Sequence, residues 1–216
     1  MVAIGLPSVR HPGGGMETAL AMRPYPGQRQ CGDQAGLWCL GEGRVLLALA
    51  DGLGHGAAAV EAADAAMACI DTAPGLSPHL LLQRCDDALR GTRGAALSLI
   101  RLDLLAGQLE HAGIGNVSAL VQCGAVKRRI ASVPGIVGAG LPPVRTDALA
   151  LDKAGVLAHF SDGIDPRLDL TTASDAPLAA QADGLVARYG RDDDDVGLVL
   201  LRWHPGWPAD LGWGAP

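Results

Sequence analysis

Aromatic side chains are scarce. They make up 3% of the 216 residues, with a single Phe and two Tyr. A core with so few rings must be filled by Ala, Val, Leu and Gly, which favours thin, closely packed layers. Charge is also sparse, at 19% against 49% hydrophobic residues, and that balance excludes wholesale disorder. The five cysteines (Cys31, Cys39, Cys69, Cys85, Cys123) are odd in number and include no Cys-x-x-Cys pair. Reduced thiols fit that pattern, whereas a disulfide frame or a zinc site does not. A net charge of −6 argues against nucleic acid or an anionic membrane as the main partner. Met1 to Pro12 lacks a basic segment followed by an apolar stretch, and apolar runs such as Val45 to Ala50 are too short to span a bilayer. The expectation is a soluble, cytoplasmic protein.

What is present reads as strands, two helices, more strands and a last helix. Leu37 to Leu40 and Arg44 to Ala50 are expected strands around the turn Gly41-Glu42-Gly43. Val45 to Ala50 is continuously apolar, as in a strand covered on both faces. Beyond Asp51-Gly-Leu-Gly-His-Gly56, the residues Val60, Ala63, Met67 and Ile70 recur at helical spacing. Ser77-Pro78 starts a second helix over Leu80 to Leu89. Strands are expected over Ala95 to Leu102, Gln108 to Ala112, Ser118 to Gln122, Val126 to Ile130, Val156 to Phe160 and Val196 to Arg202, with a helix over Pro177 to Tyr189. Ser132 to Leu151, rich in Gly and Pro, reads as a loop. Grouped rather than alternating helices predict an α+β sandwich, with one domain over residues 1–202 and a Trp/Pro/Gly-rich tail over 203–216.

Four acidic positions share a setting at a strand end or turn beside glycine or another acid: Asp33, Asp51, Asp162 and the run Asp192 to Asp195. Glycine after Asp51 and Asp162 opens the backbone to a close neighbour. Carboxylates gathered at the ends of neighbouring strands make an oxygen-only site suited to magnesium or manganese. Two such cations, about 3.5–4 Å apart, let a water attack phosphorus in line. Taken singly, each aspartate has a plainer reading, since Asp-Gly is a common turn pair and an acidic run is usually a solvated corner.

Their order carries more. Asp33, Ala-Asp51-Gly-Leu-Gly-His-Gly, Thr92-Arg-Gly-Ala-Ala-Leu-Ser, His111-Ala-Gly-Ile-Gly-Asn116-Val-Ser-Ala-Leu-Val, Phe160-Ser-Asp162-Gly and Asp194-Asp-Val-Gly-Leu-Val resemble, in sequence and spacing, the metal-dependent protein phosphatase (PPM) superfamily. Within it the chain is most similar to the SpoIIE branch and its small single-domain members, from about Asp33 to Arg202. The resemblance implies an αββα four-layer sandwich of two antiparallel sheets flanked by helices, with a pair of Mn2+ or Mg2+ ions at one edge. It further implies that Asp51 bridges both metals, that the Gly52 carbonyl binds one, and that Asp162 and Asp194 complete the other shell. Asp33 would act nearby through water. Asp195 stands where relatives carry Asn or a second Asp. Gly197 departs from the family's usual Thr, and Arg29 is shifted from the place of the phosphate-holding Arg of eukaryotic members. The partner implied is a phosphorylated signalling protein with a domain of the sulfate-transporter/anti-sigma-antagonist type, as in stressosomes, whose phosphoserine or phosphothreonine is hydrolysed.

Other readings compete. Gly52-Leu-Gly-His-Gly56 after a strand could be a dinucleotide fingerprint, but Ala57 to Arg90 reads as two helices without the required second strand. Cys123 to Arg129 matches the Cys-x5-Arg spacing of cysteine phosphatases, yet it lies between two expected strands instead of leading into a helix. A catalytically degenerate phosphatase fold that only binds a partner would have no need of clustered, mutually repelling carboxylates. His55 is placed to contact phosphate or to cap the following helix, while His111 and His159 fall inside strand patterns and read as packed residues.

Overall fold

The computed structural model describes residues 9–10, 15–124, 126–151, 154–170 and 176–204. Two antiparallel sheets lie face to face. The first takes β1 (Val9–Arg10), β2 (Met16–Arg23), β7 (Ser118–Cys123), β8 (Val126–Ala131), β10 (Gly155–Phe160) and β11 (Val196–Trp203), in the order β1-β2-β11-β10-β7-β8. The second holds β3 (Asp33–Gly41), β4 (Arg44–Gly52), β5 (Ala95–Asp103), β6 (Gln108–Ile114) and β9 (Asp147–Ala150), in the order β3-β4-β5-β6-β9. Helices α1 (Ala57–Asp71) and α2 (Pro78–Ala88) cover the outer face of the second sheet, and α3 (Leu178–Tyr189) covers the first. The expected αββα sandwich is the observed one.

Strand alternation builds three apolar layers from one sequence pattern. On β4, Val45, Leu47 and Leu49 point between the sheets, where they join Val199, Leu201 and Val121. Leu46, Ala48 and Ala50 point outward against Ala63, Ala66 and Met67 of α1. This explains the continuous apolar run: both faces of the strand are covered. Alanine on helix and strand lets α1 approach closely, as the shortage of rings required. Trp38 and Trp203, both buried, need room of their own. A Cβ on Gly36 would fall 2.2 Å from the Trp38 ring, and one on Gly155 would fall 2.3 Å from the Trp203 ring.

Most expected elements agree to within one or two residues. The exceptions are β2 and β1, which were not anticipated, β3, which starts four residues earlier than Leu37, and β9, which lies inside the expected loop. β11 reaches Trp203, which is buried, and residues 205–216 of the tail lie outside the described residues. Antiparallel order gathers one set of strand ends at a single rim: β3, β5, β7 and β11 begin there, while β4, β6 and β10 end there. Every acidic position singled out in the sequence lies at that rim.

Candidate active site

Asp33 and Asp51 are register partners at the rim end of the β3–β4 hairpin. The chain can pass directly from β4 into the loop before α1 because residue 52 has no side chain. A Cβ there would sit 2.0 Å from the Ala59 carbonyl oxygen. Gly56 then starts α1 at φ 76° with no side-chain cap, so His55 does not cap the helix. Its ring stacks instead on Tyr25, with centroids 4.2 Å apart and planes 15° from parallel.

The second sheet edge is built in the same way. Gly163, after Asp162, lets the backbone pass residue 195: a Cβ would meet the Asp195 carbonyl oxygen at 1.9 Å. Both Asp-Gly pairs are therefore points of close backbone approach and not simple turns. The Ser161 hydroxyl donates to Asp33 Oδ2 at 2.6 Å and accepts from the Gly197 amide at 3.0 Å. A Cβ at 197 would stand 2.9 Å from Asp33 Oδ2, so glycine in place of the family's usual Thr leaves room for the Asp33–Ser161 pair. Asp195 turns inward and accepts from the Tyr25 amide at 2.7 Å.

Asp51, Asp162, Asp193 and Asp194 line one cavity of about 310 Å³, together with Tyr25, Leu53, Gly54, His55, Ala96 and Asn116. Leu53, Gly54 and His55 are exposed, so the cavity opens to solvent. Asp33 and Asp195 lie buried behind it. Arg29 stands exposed in the loop before β3 and lines no part of the cavity. Asn116 and Tyr25 were not anticipated as site residues. Asn116 sits in the quoted motif before Val117, but nothing local in the sequence marks Tyr25, whose place comes from a contact with Asp195.

The electrostatics follow from crowding acids without a cation. Burial pushes Asp51 up to about 9, with Asp33, Asp162 and Asp194 adding to the effect, and Asp162 within hydrogen-bonding reach. Asp33 is pushed up to about 7 by burial and by Asp195, Asp194 and Asp162, against the hydrogen bond from Ser161. Burial and Asp162 raise Asp194 as well. The neighbouring Cys31 thiol is pushed up to about 12 by burial and then by Asp33 and Asp195, which rules it out as a thiolate nucleophile. Asp33 Oδ1 and Asp195 Oδ2 are buried with no hydrogen-bond partner among the described residues. An all-oxygen set with spare buried lone pairs is what a hard divalent cation takes. Among the described residues, no three His, Cys, Asp or Glu side chains already converge as a ready ligand group.

The competing motifs resolve structurally. Cys123 ends β7, a turn follows, and β8 carries Arg129, so Cys-x5-Arg spans a hairpin. β4 and β5, joined through α1 and α2, run antiparallel, which excludes the parallel unit of a dinucleotide fold.

Two antiparallel sheets packed between helices, with acids collected at one rim, define the metal-dependent phosphatase class of fold. Residues 41–204 match the sequence model of the family described as Stage II sporulation protein E (SpoIIE). The chain belongs to that family. It is 29% identical over 73 residues to phosphoserine phosphatase RsbX of Bacillus subtilis (strain 168), a match that covers 34% of this chain and 37% of the length of that protein. Among solved structures, it is similar to a chain of "The bacterial stressosome: a modular system that has been adapted to control secondary messenger signaling". There the TM-score is 0.82 and the identity 28%, over 87% of this chain and 99% of that one. A structure of RsbX in complex with magnesium shares the fold, with a TM-score of 0.79 at 17% identity over 94% and 100% of the two chains.

Proposed function

We propose that the protein is a metal-dependent serine/threonine phosphatase that removes phosphate from a phosphorylated signalling protein in the cytoplasm. The observation that carries this reading is the rim cluster of acids, with Asp51, Asp162, Asp193 and Asp194 lining one open cavity and, behind it, buried oxygens of Asp33 and Asp195 that have no hydrogen-bond partner among the described residues. Asp51, Asp162 and Asp194 would hold the Mn2+ or Mg2+ pair from the cavity side, with the Gly52 carbonyl as a further ligand, and Asp33 and Asp195 would support it from behind. When bound, such a pair supplies a water acidic enough to act as nucleophile and offsets charge on the phosphoryl oxygens. The chain's own residues do the rest. Asp33 is oriented by Ser161, Asp195 by the Tyr25 amide, and Gly52 and Gly163 fix the backbone that aims Asp51 and Asp162.

The open cavity fits a phosphoryl group presented on a folded surface better than a small free metabolite, which binds in a more enclosed pocket. The likeness to a phosphoserine phosphatase and to a stressosome chain supports a phosphorylated signalling protein as substrate, for which a sulfate-transporter/anti-sigma-antagonist type domain is the proposed carrier. Comparing kcat/KM for phosphoserine and phosphothreonine on such domains with phosphotyrosine peptides and nucleotides tests the assignment. A preference for nucleotides would overturn the signalling role. No turnover with either metal would leave a binding module.

A further inference from the structure

Among the described residues, the lining of the cavity contains four aspartates and neither lysine nor arginine. A phosphate monoester brings about −1.5 to −2 charges of its own. Arg93 stands at the rim just beyond the lining. Arg93 occupies the short loop between α2 and β5, and its Nη1 lies 3.0 Å from where a Cβ on the cavity residue Gly54 would sit. The base of this side chain is fixed. The Thr92 amide and hydroxyl both donate to the Leu89 carbonyl, at 3.0 and 2.8 Å, and the Gly94 amide donates to the Thr92 hydroxyl at 3.0 Å. The Gly94 carbonyl accepts from the Leu53 amide at 3.0 Å, which ties the Arg93 loop to the loop carrying Gly54 and His55.

The head group, by contrast, is uncommitted. Arg93 is exposed, and no carboxylate or carbonyl of the described residues pairs with it. Arg23, at the rim end of β2, is already engaged: it donates to the Arg191 carbonyl and reaches Asp192 at 3.6 Å. Gly54, at φ 80°, has no side chain to displace the guanidinium from the cavity mouth.

We infer that Arg93 is the phosphate-binding residue of this site, its guanidinium holding the non-bridging oxygens of the substrate's phosphoryl group at the rim above Gly54. The inference rests on the phosphatase reading and supplies the contact that Arg29 does not. A planar two-pronged donor matches phosphate geometry, and a lysine at the same place would keep the charge but lose the paired hydrogen bonds.

The test is inorganic phosphate binding to the magnesium-loaded 216-residue protein by calorimetry, alongside steady-state kinetics on a phosphoserine protein. Arg93→Gln should weaken phosphate binding about tenfold or more and raise KM by a similar factor, exceeding any fall in kcat. Arg93→Lys should recover part of both, and Gly54→Ala should weaken phosphate binding with Arg93 in place. The magnesium titration midpoint and the Tm should stay at wild-type values in Arg93→Gln, which a merely structural role would not allow. Equal phosphate affinity in wild type and Arg93→Gln would overturn the inference. Loss of phosphate affinity without turnover in the wild type would sink the hydrolase reading and leave Arg93 as an anion contact.

Discussion

Asp51 and Gly52 do different jobs, and substitutions separate them. Gly52→Ala would put a methyl group 2.0 Å from a backbone carbonyl of α1, which no rotamer can relieve. It should cost about 3 kcal/mol or more in chemical denaturation and lower activity through misfolding. Asp51→Asn keeps the shape and removes a charge that three other carboxylates oppose. Activity should fall by several orders of magnitude, because a missing carboxylate no longer positions the nucleophile. Without metal, the same variant should be more stable than wild type by about 1 kcal/mol or more at pH 8, since folding there must return to Asp51 a proton that the unfolded chain has released, and Asn needs none. Reduced stability of the metal-free variant at that pH would contradict the electrostatic account. Cys123→Ser, in a hairpin remote from the rim acids, should leave turnover unchanged. An inactive but folded Cys123→Ser protein would instead restore cysteine chemistry.

At the scale of elements, legibility tracked how completely each segment is covered. β4 and α1 were readable because both faces of the strand and one stripe of the helix are buried, leaving strong periodic patterns. β9 was not, since its four residues alternate only half-buried with exposed positions and follow a long Pro/Gly-rich stretch. β2 escaped because its alternation runs through Thr18, Ala19 and Ala21, which carry little hydrophobic contrast. The aspartates were legible through their order, but the inward turn of Asp195, the stacking of His55 on Tyr25 and the exposure of Arg29 depend on contacts between segments far apart in the chain. β6 and β10 also carry a pH dependence. Burial first, with His111 contributing, pushes His159 down to about 3, and neither of its ring nitrogens has a partner among the described residues. Burial lowers His111 to about 4 against the pull of Asp147, while Ser98 stands 3.0 Å from its Nε2. Both are neutral when folded and take protons more readily unfolded, so their contribution is present above about pH 6.5 and is lost as pH falls toward 4 and 3. His159→Leu should therefore raise Tm more at pH 5 than at pH 8. A uniform shift at the two pH values would count against this assignment.

For the whole molecule, the rim acids oppose folding until a cation arrives. Asp33 and Asp51 keep their protons in the folded state up to about pH 7 and 9, whereas the unfolded chain releases them near 4. Their contribution favours the fold most at acid pH and is lost as pH rises through that window. Magnesium or manganese should then raise Tm by more at pH 8 than at pH 5.5, because at the higher pH Asp33 has already lost its proton and the one on Asp51 is more easily displaced by the cation. Equal shifts at both would show binding elsewhere. The sandwich is the frame for this charge: two sheets give the acids a common rim, and the helices outside leave that rim open.

The central claim is that these acids activate a divalent cation pair for phosphoprotein hydrolysis. It is tested most directly by phosphate release from a phosphoserine protein, measured with manganese, with chelator, and with manganese in the Asp51→Asn and Asp162→Asn variants. Turnover should appear only for wild type with metal, and full activity in chelator or in either variant would contradict the account.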